Sequence, residues 1–371
     1  MPPELEIQLI AIIIAIACSL PGTFLVLSKM SMMSDSITHT ILLGIVLAFF
    51  LTQDLSSPLL LLGAALMGVF TVWFTESLKQ THLVSEDSAI GIVFPLLFSI
   101  AIILISRYAG SIHLDTDAVL LGELAFTPFD RLVINGIDLG AKALYTSGII
   151  LLINLLLITI FFKELKLLTF DPVLAGVLGF SPLLLHYGLM TLVSLTAVGA
   201  FEAVGSILVV AFMIGPPVTA YLLTDDLKKM LILSGAFGAC NGIIGYQIAV
   251  LLDVAIAGTI AVVTGLTFLL VFFLAPQRGL LSILKRKKGQ KIQFAQNTLL
   301  FHLYNHETEE PQVKEQGLLL NQLHLRWSEG FTKSLIYSLK KKGYLEIQDS
   351  YIKLTEQGRK ESLNFYEELQ I

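Results

Sequence analysis

Long apolar segments with few charged residues recur along most of this chain, and they limit what it can fold into. Each is close to the ~20 residues that a helix needs to cross the hydrocarbon core of a bilayer. The runs are continuous rather than alternating, which argues against a transmembrane β-barrel. The sequence therefore predicts an all-α polytopic membrane protein with about 8–9 transmembrane helices. The candidate spans are residues 7–28, 36–52, 58–75, 88–106, 145–162, 184–201, 203–223, 229–251 and 255–275.

Composition separates this apolar part from the end of the chain. The whole chain is 55% hydrophobic and only 14% charged, which lies outside the usual range of soluble domains. Residues 1–280 carry 10 Lys and Arg against 18 Asp and Glu, whereas the remainder carries 14 against 11. Hydropathy falls at the same point. We therefore predict a transmembrane domain over 1–280, a basic linker over 281–291 and a small α+β domain over 292–371.

Lys and Arg near the ends of the spans predict the orientation of the chain, because cytoplasmic loops are enriched in them. Basic clusters at 163–166, 225–229 and 284–291 fall on one side of the membrane if the nine spans are correct. We expect that side to be the cytoplasm. The chain is then a multi-pass protein of the cell membrane, with a cytoplasmic C-terminal domain and an external N-terminus.

The second apolar segment opens with a carboxylate and an imidazole. Asp35 and His39 are four residues apart, so they project from the same face of a helix. Ionisable groups within a span are costly and tend to face a protein interior or a watery path. An Asp oxygen and a His nitrogen suit Mn²⁺, Fe²⁺ or Zn²⁺, and two copies of the helix at a dimer axis would supply four ligands. The alternative is that Asp35 caps the helix and His39 hydrogen-bonds to a neighbouring span.

Other polar and helix-breaking positions receive more ordinary interpretations. Glu202 stands between two apolar runs, so we predict that it lies in the loop joining them, and we expect a structural role for His186. Residues 215–217 (GPP) are expected to break the seventh span, because proline removes a backbone donor and kinks a helix. Residues 107–144 are less apolar and are predicted to contain a short helix at most.

Two sequence signatures of enzymes are missing. The sequence contains no GxxxxGK[ST] stretch, so it does not cradle a nucleotide in a P-loop. It also contains no HExxH stretch, which removes the commonest zinc-protease interpretation. We therefore predict a transport subunit that is not itself an enzyme, with any ATP hydrolysis carried by a separate chain.

A family resemblance gives the Asp35–His39 pair a specific interpretation. The stretch SKMSMMSDSITHTILLGIVLAF (28–49) resembles the second-helix motif of the ABC transporter permeases that import manganese, zinc or iron. In that motif an Asp-x-x-x-His pattern carries the transported ion, and it matches Asp35 and His39, with Gly44 at the position of the family's glycine. AVGSILVVAFMIGPPVTAYLL (203–223) is similar to a second motif of the family, and VLLGEL (119–124) to a third. The resemblance covers about residues 5–280.

The resemblance also implies cargo and partners. The cargo would be a divalent metal ion (Mn, Zn or Fe), with no permanently bound cofactor. Expected partners are a separate ATP-binding subunit, an extracytoplasmic metal-binding protein, and a second permease copy or a paralogous permease, all in contact with membrane lipids.

A punctuated stretch, LTFDPVLAGVLGFSP (168–182), follows the fifth span. Asp followed by Pro is a helix-start signal, and glycine and proline end the helix soon after. The stretch resembles the loop by which the family's permeases dock into the ATPase. On that basis the docking residues are Phe170, Asp171, Pro172, Ala175, Gly176 and Gly179. A plain amphipathic connector is the alternative.

The C-terminal domain is predicted to contain helices at 294–306, 314–324, 328–342 and 356–370, with two short strands on either side of residues 349–350. The segment SLKKKGYLEIQDSYIKLTEQG resembles the winged helix of iron-dependent repressors and MarR-like regulators. The exposed face of the third helix would bind DNA or a protein partner, through Lys333, Tyr337 and Lys340. The metal-ligand cluster of such repressors is not evident, and the modest positive charge favours protein interaction over DNA binding.

These features together predict the membrane-spanning permease subunit of an ATP-driven divalent-metal importer. A vitamin B12 or siderophore importer permease is an alternative, although Asp35 and His39 argue against a bulky organic cargo. A membrane-tethered, metal-responsive transcription regulator is another alternative.

Overall fold

The computed structural model of the protein describes residues 2–54, 57–108, 124–134, 137–309, 318–319, 327–348 and 351–369. The chain divides into two compact units, Met1–Gly279 and Leu280–Ile371. The first unit contains the apolar segments, and the second has a hydrophobic core of its own. The two cores share no residues.

The first unit is built mainly from helices, because only helices satisfy the backbone of a single apolar segment in lipid. Among the described residues, 8 helices are long and apolar enough to cross a membrane, which confirms the predicted fold class. These are α1 Pro3–Leu27, α2 Ser31–Thr52, α3 Leu59–Gln80, α4 Glu86–Tyr108, α5 Lys142–Ile160, α8 Pro182–Tyr221, α9 Leu227–Leu252 and α10 Ile256–Leu274. Two short helices, α6 Phe162–Phe170 and α7 Pro172–Val177, connect α5 to α8.

Helix α8 contains a sharp turn at Gly205, whose φ of 75° and ψ of 168° lie outside the helical range. Glycine reaches this conformation at little cost because it has no Cβ. The predicted break at residues 215–217 is wrong, since Pro216 and Pro217 lie within the helical arm that follows the turn. Gly215 serves close packing instead: a Cβ there would lie 2.3 Å from Thr264 Cγ2.

The two arms of α8 run in opposite directions. Glu202 lies one turn before the bend rather than in an open loop, 3.9 Å from Lys142 at the beginning of α5. Tyr221 ends the second arm and lines a cavity together with Phe170. Phe170 lies shortly before Pro182, where the first arm begins. Helix α8 therefore supplies two of the nine predicted crossings. We call the end of the bundle with Phe170 and Tyr221 the inner end, and the end with Glu202 the outer end.

Helix α1 lies at the centre of this unit, where it contacts α5, α8 and α9. A Cβ on Gly22 would lie 2.1 Å from the carbonyl oxygen of Met213 in α8, so glycine is needed for the approach of the two backbones. Asn154 Nδ2 of α5 donates hydrogen bonds to the carbonyl of Ala17 (2.8 Å) and to Thr196 Oγ1 (2.9 Å). Small residues and interhelical hydrogen bonds are the usual means of holding helices together in lipid.

Helices α2 and α3 approach each other as closely. A Cβ on Gly44 would lie 2.3 Å from the carbonyl oxygen of Gly63. Nearer the inner end, Thr71 Oγ1 donates a hydrogen bond to Thr40 Oγ1 at 2.8 Å. These contacts fix α2 against α3 over several turns.

A 3-10 helix, Leu124–Phe129, and a hairpin of β1 Arg131–Ile134 and β2 Ile137–Ala141 precede α5. The expectation of a short helix at most over 107–144 therefore missed the hairpin. Residues 109–123, with most of the VLLGEL motif, lie outside the described residues.

Arg131 ties this hairpin to α1. Its Nη1 donates to both carboxylate oxygens of Glu6 at 3.3 and 3.2 Å, and its Nε donates to those of Asp138 at 3.0 and 2.9 Å. The Arg131 guanidinium and the backbone N–H of Gly140 lower the pKa of Asp138 below its usual range. The Glu6 side chain is only 4% exposed, so its burial requires a cationic partner.

The second unit combines helices with one small sheet. Its elements are α11 Leu280–Glu309, β3 Leu318–Leu319, α12 Glu329–Lys341, β4 Leu345–Gln348, β5 Tyr351–Leu354 and α13 Glu356–Leu369. The strands are antiparallel in the order β3-β5-β4. The strands predicted on either side of residues 349–350 are present as β4 and β5.

Two expectations for this unit differ from the structure. Residues 281–291, predicted as a linker, are helical and belong to α11, because Lys, Arg and Leu are good helix formers. The helix predicted over 314–324 is contradicted at residues 318–319, where β3 pairs with β5. The rest of that segment lies outside the described residues.

Candidate functional site

Asp35 and His39 lie on one face of α2, as their spacing predicts. His39 Nε2 is 3.4 Å from Asp35 Oδ1. The side chains are 37% exposed for Asp35 and 21% exposed for His39, although α2 lies within the apolar bundle. The Asp35 carboxylate is therefore partly accessible, and the more buried His39 imidazole lies beside it.

The surroundings of His39 restrict the orientation of its ring. The centroid of the imidazole lies 5.2 Å from that of Phe94 and 5.7 Å from that of Phe98, both on α4. The neighbouring hydroxyl-bearing residues Ser36 and Thr40 are fully buried. The pair thus has an aromatic wall on one side and packed helix on the other.

The helix-capping interpretation of Asp35 is wrong. Helix α2 begins at Ser31, and its N-cap position, Met30, makes no side-chain capping hydrogen bond. Asp35 is therefore inside the helix, after its first turn. The contact that His39 makes with the neighbouring α4 is aromatic rather than the expected hydrogen bond.

The pair supplies only two protein ligands. A structural metal site in a protein generally uses four, and no group of three or more His, Cys, Asp or Glu suited to a metal occurs within the residues that the structure describes. Two ligands from a single copy of the chain would hold a metal ion only weakly, and further ligands would have to come from water or a second chain.

The punctuated stretch forms a short helix with defined ends. The Asp171 Oδ1 accepts a hydrogen bond from the backbone N–H of Leu174 at 2.9 Å, and Pro172 is the first helical residue of α7. Gly179 ends the segment with a φ of 89°, which a β-branched residue adopts only with strain. The backbone N–H of Phe180 then bonds to the carbonyl of Ala175 at 3.1 Å.

This segment exposes an apolar surface at the inner end of the bundle. Ala175 is fully buried, but the apolar side chains around it are exposed: Phe170 58%, Val173 76%, Leu174 43%, Val177 79% and Leu178 56%. Gly176 and Gly179 are exposed as well. An apolar surface on so short a helix is typical of a contact site for another chain.

Comparison with protein-family models identifies the family of this chain. Residues 5–275 match the model of the ABC 3 transport family. The chain belongs to this family. It is 43% identical to the zinc transport system membrane protein TroD of Treponema pallidum, over 95% of this chain and 96% of that protein. It is 42% identical to the manganese transport system membrane protein MntD of Bacillus subtilis, over 73% of this chain and 92% of that protein.

A solved structure also resembles this family member. The structure described as PsaBC from Streptococcus pneumoniae in complex with Fab is similar with a TM-score of 0.63 and 32% identity, covering 75% of this chain and 94% of that chain. The match to TroD extends through the second unit, whereas the match to MntD is about the length of the first unit.

In the second unit, α12 separates a buried from an exposed face. Leu335, Ile336 and Leu339 are buried in the core. The predicted partner face, Lys333, Tyr337 and Lys340, is exposed, with Tyr337 at 72%. Ser328 occupies the N-cap position but makes no side-chain capping hydrogen bond.

The structure of this family member reveals one polar cluster that sequence reasoning missed. His186 Nε2 contacts Glu76 Oε1 as a histidine–carboxylate pair, and Tyr187 also hydrogen-bonds to Glu76. His186 is expected from sequence to be structural, and Glu76 drew no interpretation. The two residues lie on different helices far apart in the sequence, so no local spacing signals their contact.

Proposed function

We propose that this chain is the membrane-spanning permease subunit of an ATP-driven importer of a divalent transition metal ion, and that the ion passes Asp35 and His39. The observation that carries the proposal is the geometry of this pair: one carboxylate oxygen and one imidazole nitrogen lie 3.4 Å apart on one helix face, and neither side chain is fully buried. That donor set suits Mn²⁺, Fe²⁺ and Zn²⁺. Relatives named as zinc and manganese transport proteins support a cargo of this class.

The ion is cargo and remains bound only briefly. Two permease chains, identical or paralogous, would bring two such faces together and supply four protein ligands. Weak binding by each face favours release, which a conducting site requires. A vitamin B12 or siderophore cargo is not favoured, because two small ionisable ligands beside an aromatic wall suit a bare ion.

The ATPase is a separate chain that docks at residues 168–182. The exposed apolar side chains of α7 support this assignment, since a docked partner would remove them from water. The basic cluster at 163–166 lies beside this segment, which favours a cytoplasmic inner end. The outer end then faces the extracytoplasmic metal-binding protein that delivers the ion.

The second unit is proposed as a cytoplasmic winged helix that regulates the transporter. Its order of helix, strand, helix, hairpin and helix supports this assignment. Lys333, Tyr337 and Lys340 would contact a partner, and the modest charge favours a protein over DNA. Titrating the full-length protein with promoter and random DNA at two salt concentrations tests the DNA interpretation. Equally weak binding to both would leave the protein partner.

Uptake of radioactive metal into cells or vesicles tests the ion path. Asp35→Ala and His39→Ala should abolish uptake while the complex still assembles, because each change removes a ligand but little packing. His82→Ala and Asp87→Ala are matched controls, since both side chains are exposed in and near the loop between α3 and α4. Wild-type uptake by the Asp35 and His39 variants would contradict the assignment.

Crosslinking tests the docking segment. In a background without the exposed Cys240, a Val177→Cys variant should crosslink to the ATPase subunit. A Leu251→Cys variant is the control, because Leu251 is 83% exposed near the opposite end of the bundle. If the two cysteines behave alike, the docking assignment fails.

A further inference from the structure

The Glu76–His186 pair joins two helices near the inner end of the bundle. Glu76 belongs to α3, and His186 lies near the beginning of α8. Both side chains are mostly buried, at 18% and 19% exposure. The rings of His186 and Tyr187 pack edge to face at 5.7 Å between centroids. Ionisable groups inside a membrane bundle are costly and usually mark a function.

A short hydrogen-bonded turn joins α7 to the start of α8. Phe180 bonds back to Ala175, and Ser181 then caps α8 by accepting a hydrogen bond from the backbone N–H of Leu184 at 3.4 Å. Leu185 N–H bonds to the carbonyl of Ser181 at 3.1 Å. Only residues 178–181 separate the two helices, so we expect a displacement of α7 to carry the first turns of α8 with it.

On the other side of the pair, α3 is fixed to α2. The Thr40–Thr71 hydrogen bond and the close approach of Gly44 to Gly63 leave little room for the helices to slide. Helix α2 carries Asp35 and His39. The pair therefore closes a chain of direct contacts from α7 through α8 and α3 to α2.

We infer that Glu76 and His186 are positioning residues that transmit movement of the docking segment to the helix carrying Asp35 and His39. This inference rests on the proposed function, because it takes residues 168–182 as the ATPase contact. Breaking the pair leaves docking and ion binding intact but lets the first turns of α8 move without the inner end of α3. ATP is then hydrolysed without movement of the ion.

The position of the pair favours this role over a purely structural one. The first arm of α8 is already held on α3 at a second point, where Ser194 Oγ donates to the carbonyl of Ala65 at 3.0 Å. The ionisable pair is instead placed at the end nearest α7, where force from a docked ATPase would enter. A hydroxyl contact alone would hold the helices together at less desolvation cost.

The test uses the complete transporter reconstituted in vesicles, with its ATPase and metal-binding protein. Glu76→Gln and His186→Gln should each lower the number of ions moved per ATP on the order of tenfold, with ATP hydrolysis and metal binding near wild type. The exchange variant Glu76→His with His186→Glu should recover much of the ratio. Glu86→Gln is the matched control, because Glu86 pairs with the exposed Lys79 at the same end.

The outcomes separate this inference from the proposed function. An unchanged ratio in both Gln variants overturns the inference. The inference is also overturned if ATP hydrolysis, assembly and uptake are lost together and the exchange variant does not recover them. That result would indicate a structural role for the pair. If the ATPase fails to bind even the wild-type chain, the docking assignment itself is wrong.

Discussion

Two histidine–carboxylate pairs in the first unit have the same chemistry and opposite arrangements. Asp35 and His39 share one helix and are partly exposed, and the His39 ring packs against aromatic rings of α4. Glu76 and His186 come from two helices, and Tyr187 also hydrogen-bonds to Glu76.

The difference concerns which pair has room for a further ligand. In the proposed function the partly exposed α2 pair accepts an ion, whereas the α3–α8 pair holds two helices together. Ionisable groups in a membrane are costly. The α2 pair offsets this cost by partial exposure, and the α3–α8 pair offsets it by pairing across a helix interface.

Measuring bound metal in purified transporter sharpens this comparison most. Asp35→Asn should lower metal affinity by more than ~10-fold, since loss of even an outer-shell partner has an effect of that size. Glu76→Gln should leave the affinity unchanged. Equal losses in the two variants would erase the distinction between the pairs.

A glycine at the contact between α2 and α3 offers a way to disturb both pairs. In Gly44→Ala the new Cβ would lie 2.3 Å from the carbonyl oxygen of Gly63, so α2 and α3 must separate at a cost of about 1–3 kcal/mol. We expect a lower thermal unfolding midpoint and reduced uptake. Gly91→Ala is the control, because nothing lies within 4 Å of its added Cβ.

A buried carboxylate in the second unit shows what an ion pair does outside a membrane span. Glu307 accepts hydrogen bonds from Arg359 Nε at 2.8 Å and from the backbone N–H of Leu354 at 3.3 Å. Glu307→Gln should destabilise this unit by about 2 kcal/mol, the loss of a charged hydrogen bond. Hydrogen exchange at Leu354 should accelerate, whereas Glu367→Gln on the surface should leave it unchanged. If Glu307→Gln lowered the number of ions moved per ATP as strongly as Glu76→Gln, the two carboxylates would not have separate roles.

The Asp138–Arg131 pair of the hairpin should show the smallest effect, since it lies in water. The pKa of Asp138 is lowered by Arg131 and the Gly140 N–H. Its stabilising contribution is therefore present above the usual pKa of Asp and is lost as pH falls through the lowered folded-state value. The rate of hydrogen exchange in the hairpin should rise only in that acidic window, and Asp138→Asn should remove this rise. A rise in the exchange rate near neutral pH would show that another titratable group is responsible.

Local features of the sequence account for what it determined by itself. The long apolar runs required helices, because lipid provides no hydrogen-bond partners for the backbone. Asp35 and His39 were recognisable because four residues make one helical turn. Asp171 and Pro172 marked the start of a helix for the same local reason, and alternating apolar residues marked β4 and β5.

The tertiary structure decided everything that depends on contacts between distant residues. It placed Glu76 against His186, held the hairpin to α1 through Arg131, and paired residues 318–319 with β5 where a helix was expected. It also turned α8 at Gly205 and left Pro216 and Pro217 helical, because close packing against α1 and α10 outweighs the backbone preference of proline. Spacing along a chain predicts which side chains share a face, whereas only packing determines what that face meets.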